Sequence, residues 1–276
     1  MTRRTLKRSF IFSAATIAVS LLLLEPTTSA AVGLLTRKKS PSMDNANLRH
    51  ANGEHFLLST SEYQTPMAFL ADEFEGVLEG NDIVVPRLLQ ACKKLEETMR
   101  FLGQTSTAND FHGNVEKVEQ LLQQAPAESR NTMYALLSYE KSLGIHPPSD
   151  GLKRRLKDPS AAMGLLWIER SLSFNHAMYK EVLRKAEPVK AAMNAYQTVL
   201  EPFHSWTLRK LTTASIQHTT PAREQLFAQL AGNRSEDPIL MATQNDLCRL
   251  LNNLGPLIRR WRETFQELDL DDNRKV

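Results

Sequence analysis

The sequence predicts an all-α protein, about eight helices packed in layers, and three observations predict it. From Pro66 onward apolar residues recur at three-to-four spacing, and Gly or Pro stands at the end of most of the periodic stretches. No run of alternating Val, Ile, Thr and aromatics bounded by turn residues makes a convincing strand.

The first helix opens at Pro66 and carries Met67, Phe69, Leu70, Phe74, Val77 and Leu78 before Gly80-Asn81 stops it. Ile83 to Leu102 repeats the pattern with Leu88, Leu89, Cys92, Leu95 and Met99, up to Gly103. Asn109-Asp110 is expected to open a third helix, through Val115, Val118, Leu121 and Leu122 to about Gln124, where Ala125-Pro126 breaks it. Asn131 to Leu143 follows, closed by Gly144 and Pro147-Pro148. The longest periodic stretches are Ala161 to about Ala186 and Val189 to about Thr213, divided near Glu187-Pro188. A short helix over Ala222–Leu230 and a last one from Asp237 to about Leu268, which Gly255-Pro256 is expected to bend, complete the body.

Ahead of this body, Arg3, Arg4, Lys7 and Arg8 precede an apolar run from Ser9 to Leu24, then Glu25-Pro26 and the small residues Thr27 to Ala31. A charged start, an apolar middle and a Thr28-x-Ala30 cleavage-like site are the parts of a secretory signal peptide. The same run, extended across Glu25 to Leu35, could instead make a poor membrane anchor, and an organelle presequence is a third reading. Basic residues on both sides, with Arg37, Lys38 and Lys39 following, leave the orientation of an anchor open. The chain therefore divides into a signal or anchor over 1–31, a Ser- and Asn-rich linker over 32–62 and a helical domain over 63–276. The cleavage-like site argues for entry into the secretory pathway, where Asn233-Arg234-Ser235, a glycosylation acceptor sequence, could be modified. An anchored protein with a cytosolic body is the alternative.

Charge and cysteines narrow the function. The formal net charge is +3, but residues 1–39 hold seven basic residues against Glu25, so the remainder carries −3 and lacks the basic excess a nucleic-acid binder needs. Cys92 and Cys248 stand far apart without a CxxC or His-rich neighbourhood, which points to buried free thiols rather than a zinc site or disulfide framework.

Three constellations could carry chemistry. Asp110, Asn114 and Lys117 fall at i, i+4 and i+7, on one helix face, and combine an acceptor, an amide and an ammonium donor. That mixture suits a neutral polyhydroxylated ligand, although solvated helix faces often look alike. In Gly164-Leu165-Leu166-Trp167-Ile168-Glu169-Arg170, Trp167 is either a core residue or a platform for the C–H face of a sugar. In Ala195-Tyr196-x-x-x-Leu200-x-x-x-His204-Ser205-Trp206, His204 is either a satisfied structural residue or a donor to an amide carbonyl. A hydrolase built on Asp110 and His204 lacks any G-x-S-x-G elbow, HExxH or Gly-rich phosphate loop, so a non-enzyme without metal or cofactor is expected.

In order and spacing these three constellations resemble the head-group motifs of the glycolipid transfer protein family, from about Pro66 to a tail, Asn273 to Val276, that also looks like the family's. The resemblance implies a two-layer helical bundle that sandwiches the two hydrocarbon chains of a sphingolipid. It implies that Asp110 accepts from the ceramide amide N–H and a sugar hydroxyl, that Asn114 and Lys117 hold hydroxyls, that Trp167 stacks on the first sugar and that His204 donates to the amide carbonyl. Trp206 resembles the tryptophan with which members enter the membrane interface. Relatives that carry phosphorylated sphingolipids place arginines at the Trp167 position and one turn before it, because phosphate calls for planar, bidentate, permanently charged donors. Trp167 and Met163 stand there, so a neutral glycosphingolipid is favoured, with ceramide phosphate transfer or lipid sensing as the alternative. The departures are Arg274, where the family tail usually has an aromatic, and the insert Leu152–Pro159 with Lys153, Arg154, Arg155 and Lys157. The implied partners are the lipid and a membrane surface, and the protein is expected to act as a monomer. A carrier answers a physical need, since each CH₂ left in water costs about 0.8 kcal/mol.

Overall fold

A computed structural model describes residues 65–147 and 155–275. The segment expected to be a signal or anchor, the linker, and the insert residues Leu152, Lys153 and Arg154 lie outside these. Among the described residues no helix is long and apolar enough to cross a membrane.

Nine α-helices and one minimal hairpin make up the described body. Helix α1 (Pro66–Phe74) has Pro at its start, and its Thr65 cap accepts from the Ala68 N–H while donating to Asp246 of the last helix. It ends before Val77, and Leu78–Glu79 (β1) pairs antiparallel with Asp82–Ile83 (β2) around Gly80 at φ 60°. So brief a hairpin has no alternating pattern for the sequence to display. Helix α2 spans Val85–Phe101. Helix α3 spans Thr105–Gln124, opening four residues earlier than the expected Asn109, because Gly103 at φ 79° ends α2 and leaves Thr105 free to start the next turn. Helix α4 (Met133–Ser142) is capped by Thr132, and α5 (Ala161–Leu183) by Ser160.

The stretch expected as one helix from Val189 to Thr213 is two. Helix α6 (Pro188–Val199) stops, a 3-10 turn covers Glu201–Phe203, and α7 (Trp206–Thr219) starts anew. Pro202 explains the break, since its ring has no N–H to donate and clashes with the carbonyl four residues before it. His204 is thereby placed at a corner, in an extended conformation with φ −95° and ψ 138°. Helix α8 covers Arg223–Leu230, and α9 is one continuous 31-residue helix from Asp237 to Glu267 that includes Pro256.

In this two-layer bundle α1 packs on α2 and α9, α2 on α3, α3 on α5, and α5 on α6 and α9. The ring so closed buries Phe74, Phe111, Phe174, Trp261 and Phe265 among aliphatic side chains. Cys92 is buried, which pushes its thiol pKa well up, whereas Cys248 is only half-buried.

Candidate functional site

Three elements meet at the positions singled out by the sequence: α3, α5 and the corner between α6 and α7. On α3 the expected face is present. Asn114 is 4% exposed, its amide nitrogen donates to the Asp110 main-chain oxygen at 3.1 Å, and its Oδ1 accepts from Lys117 Nζ at 3.3 Å. Asp110 is half-buried.

Gly164 lets α5 approach this face. A Cβ at that position would stand 2.5 Å from the Asn114 main-chain oxygen and 3.2 Å from the Lys117 Cβ, so any side chain would force the helices apart. Trp167 follows three residues later and is nearly enclosed, as is Met163.

Arg170 joins α5 to the corner. Its guanidinium carbon lies 4.8 Å from the Trp167 ring centroid and 3.5 Å from that of Phe203, and Nη2 donates to the Asp272 main-chain oxygen. Burial lowers its pKa to about 10, against the pull of Glu169, Asp272 and Asp271, so it stays a cation at neutral pH. The tail returns to this place. Asp272 pairs with Arg274, its Oδ2 accepts from the Leu156 N–H at 2.9 Å, and Arg274 donates to the Leu156 oxygen at 2.9 Å. Where the family tail was expected to offer an aromatic, Arg274 thus ties the tail to the end of the insert.

His204 is wholly enclosed. Its Nδ1 lies 3.1 Å from the Tyr196 hydroxyl, while Nε2 is buried without a hydrogen-bond partner among the described residues. Burial first, then the charges of Arg170 and Arg209, lower the ring's pKa to about 4. Burial also raises Tyr196 to about 12, so both groups are neutral near pH 7. In the tautomer whose Nδ1 accepts from the tyrosine hydroxyl, the ring proton sits on Nε2. A polar ring nitrogen is therefore held in the interior with no partner among the described residues, where such burial costs about 1–3 kcal/mol.

Trp206 stands apart from this enclosed set. It is 69% exposed at the first position of α7, with Lys210 Nζ 4.3 Å from its ring centroid. A cavity of about 440 Å³ between α5 and α9, lined by Ser173, His176, Gly255, Arg259 and Arg262 among others, shares none of the head-group positions. No group of three or more His, Cys, Asp or Glu among the described residues could hold a metal ion.

Four residues of this arrangement drew no role from the sequence. Gly164, Arg170 and Tyr196 lie inside the motifs, and Tyr196 precedes His204 by two helical turns, a spacing that Pro202 makes useful by folding the corner back. Asp158 lies outside every motif, yet its Oδ1 is 2.8 Å from Lys117 Nζ. The sequence displayed it only as the single acid among the basic residues of the insert.

A family model described as glycolipid transfer protein matches residues 83–232. Comparison with curated proteins gives no match. Among solved structures, the fold is similar to that of FAPP2, described as selecting simple glycosphingolipids, with a TM-score of 0.63 and 20% identity over 77% of this chain and all of that one. Mouse ceramide-1-phosphate transfer protein gives a TM-score of 0.62 at 17% identity, covering 75% of this chain and 98% of that one. The fungal glycolipid transfer protein HET-C2 gives 0.53 at 20% identity, covering 67% and 86%.

Proposed function

This chain belongs to the glycolipid transfer protein family, and on that premise we propose that it binds sphingolipids and carries them between membranes without altering them, with neutral glycosphingolipids as its cargo. The family's members are lipid transfer proteins rather than enzymes.

The observation that carries the reading is His204 Nε2, buried and unanswered among the described residues. A ceramide amide carbonyl would satisfy it, and the amide N–H of the same group would then face Asp110 across the site. Trp167 offers an indole face to the first sugar, with Arg170 beneath it. Asn114 and Lys117 supply hydroxyl partners, and apolar helix faces enclose the chains. The neutral head group rests on Met163 and Trp167, apolar residues where carriers of phosphorylated lipids have arginines. A ceramide phosphate cargo has one observation in its favour, the exposed cations Arg155 and Lys157 at the end of the insert. The exposed Trp206, with Lys210 beside it, is our choice for the residue that enters the membrane interface. We place the body in the secretory pathway on the strength of residues 1–31.

Transfer between labelled vesicles, with mass spectrometry of the extracted lipid, tests the reading. Glucosyl- or galactosylceramide is expected to move faster than ceramide 1-phosphate and to emerge unchanged. Asp110→Val is expected to remove most of that transfer while leaving the helical circular dichroism near wild type, because the group is only half-buried. Preference for the phosphate would overturn the head group, and a chemically altered lipid would overturn the carrier.

A further inference from the structure

We propose that Asp158 is a specificity-determining residue of the head-group site, one that holds the Lys117 ammonium and turns away anionic head groups. The inference rests on the reading of Asp110, Asn114 and Lys117 as the head-group face.

The Asp158–Lys117 contact differs from an ordinary surface pair in how firmly both ends are held. Lys117 has one-fifth of its side chain exposed, its Nζ also donates to Asn114 Oδ1 at 3.3 Å, and its Cβ stands 3.2 Å from where a side chain at Gly164 would begin. On the other side, the main chain around Asp158 is fixed residue by residue. Leu156 exchanges hydrogen bonds with Asp272 and Arg274, the Lys157 N–H donates to His146 Nδ1 at 3.2 Å, and Ser160 caps α5 by accepting from the Met163 N–H at 3.1 Å. The carboxylate is delivered to the lysine by a segment that has little freedom to withdraw it.

This changes what Lys117 can offer. Alone, an ammonium beside one carboxylate would leave the face close to neutral and open to an anion. With Asp158 added, the carboxylates of the site, Asp110 and Asp158, outnumber its one ammonium. A phosphate, which carries −1.5 to −2 near pH 7, would have to displace Asp158 from Lys117 or sit beside it against like charge. A sugar hydroxyl faces no such choice, because it can accept from Nζ and donate to the Asp158 carboxylate with the pair left intact. Arg155 and Lys157 flank the acid in sequence and are exposed. Once Asp158 is neutralised, their charge is left to attract the anion.

The test compares the full chain with its Asp158→Asn variant, reading the ratio of glucosylceramide to ceramide 1-phosphate transfer from phosphatidylcholine vesicles. The variant is expected to move the ratio toward the phosphate by about tenfold at low salt and by less at high salt, as for removal of a partly screened charge at contact distance. Asp158→Glu should restore the wild-type ratio. In a Lys117→Ala background the Asp158→Asn shift should shrink, which a purely structural role would not produce. A ratio that stays within about twofold of wild type, or equal loss of both lipids, overturns the proposal. The change in ratio is read whichever lipid the wild type prefers, so a wild-type preference for phosphate would sink the neutral-cargo reading alone. A wild type that transfers neither lipid would overturn both.

Discussion

At the N-terminus of α5, Glu140 is 1% exposed and both its carboxylate oxygens are in use. Oε2 accepts from the Ala161 N–H at 2.6 Å, and Oε1 accepts from the Ala162 N–H at 2.8 Å and from His146 Nε2 at 3.1 Å. Beside the middle of the same helix, His204 is as deeply enclosed, yet only one of its ring nitrogens has a partner among the described residues. The carboxylate answers the orphan amides and positive end of a helix dipole, which is a structural task completed within the chain. The imidazole holds a nitrogen that no described residue answers. Burial alone does not separate the two; the count of satisfied atoms does.

Breaking the first region should cost stability before anything else. Glu140→Ala leaves two main-chain N–H groups and the His146 Nε2–H without an acceptor in the interior, each worth about 1–3 kcal/mol. A loss of several kcal/mol is expected, seen as a lower urea midpoint, with transfer lost only in proportion to the unfolded fraction. A variant as stable as wild type would dissolve the contrast.

The second region should declare itself in acid. His204 has a folded pKa of about 4 and an unfolded value near 6.5. Between those values the unfolded chain binds a proton that the folded chain refuses. Stability from this group is therefore complete above about pH 6.5 and is lost as pH falls toward 4, a change of up to about 3 kcal/mol. His176 shifts in the same direction and His112 in the opposite one, so the informative quantity is the difference between wild type and His204→Phe. The variant's stability should fall less steeply between pH 6.5 and 4. Equal slopes would show that the ring is not held neutral in the interior.

The join between α3 and α5 lies between the two regions, and Gly164→Ala probes it. A methyl group 2.5 Å from the Asn114 oxygen cannot be absorbed by a flexible side chain, because the obstacle is backbone. The expected cost is about 1–3 kcal/mol, as for other overpacked contacts. Transfer should fall further than stability does, since the Asn114–Lys117 face moves away from Trp167. Transfer unchanged in a folded variant would detach Gly164 from the site.

What the sequence made legible follows from the range of each signal. Helical periodicity is local, so its eight stretches lie near the helices of the described body, one of them covering two, and it put Asp110, Asn114 and Lys117 on one face. It misread Val189–Thr213 because the apolar pattern continues across Pro202, and a pattern of side chains does not register a missing N–H. The motifs located Trp167 and His204, but not the reason His204 matters, since an unpartnered Nε2 exists only once the neighbours are in place. Gly164 looked like any glycine in a helix until α3 was found against it. Asp158 could not have been read at all: its link to Lys117 spans 41 positions and depends on a tail more than a hundred residues away.

The α8–α9 loop offers the mildest test, because it belongs to neither region. A Cβ at Gly232 would meet Pro66 and Phe101, so the loop is backed by α1 and α2. Asn233 is exposed at φ 60°, a left-handed conformation that asparagine tolerates, and Ser235 two residues on is exposed as well. The acceptor sequence is therefore accessible on the folded surface, and whether it is used depends on which side of a membrane the body reaches. If residues 1–31 deliver the chain to the secretory lumen, Asn233 should carry a glycan, seen as a glycosidase-sensitive mass shift that Asn233→Gln removes. Transfer should not change in that variant, and the urea midpoint should fall only slightly, because glutamine tolerates the left-handed conformation less well than asparagine. A strongly destabilised Asn233→Gln protein with no mass shift in the wild type would mean that the positive φ, not a glycan, is what the residue supplies. An unmodified chain that still carries residues 1–30 would move the proposal to a membrane-tethered carrier with its body in the cytosol.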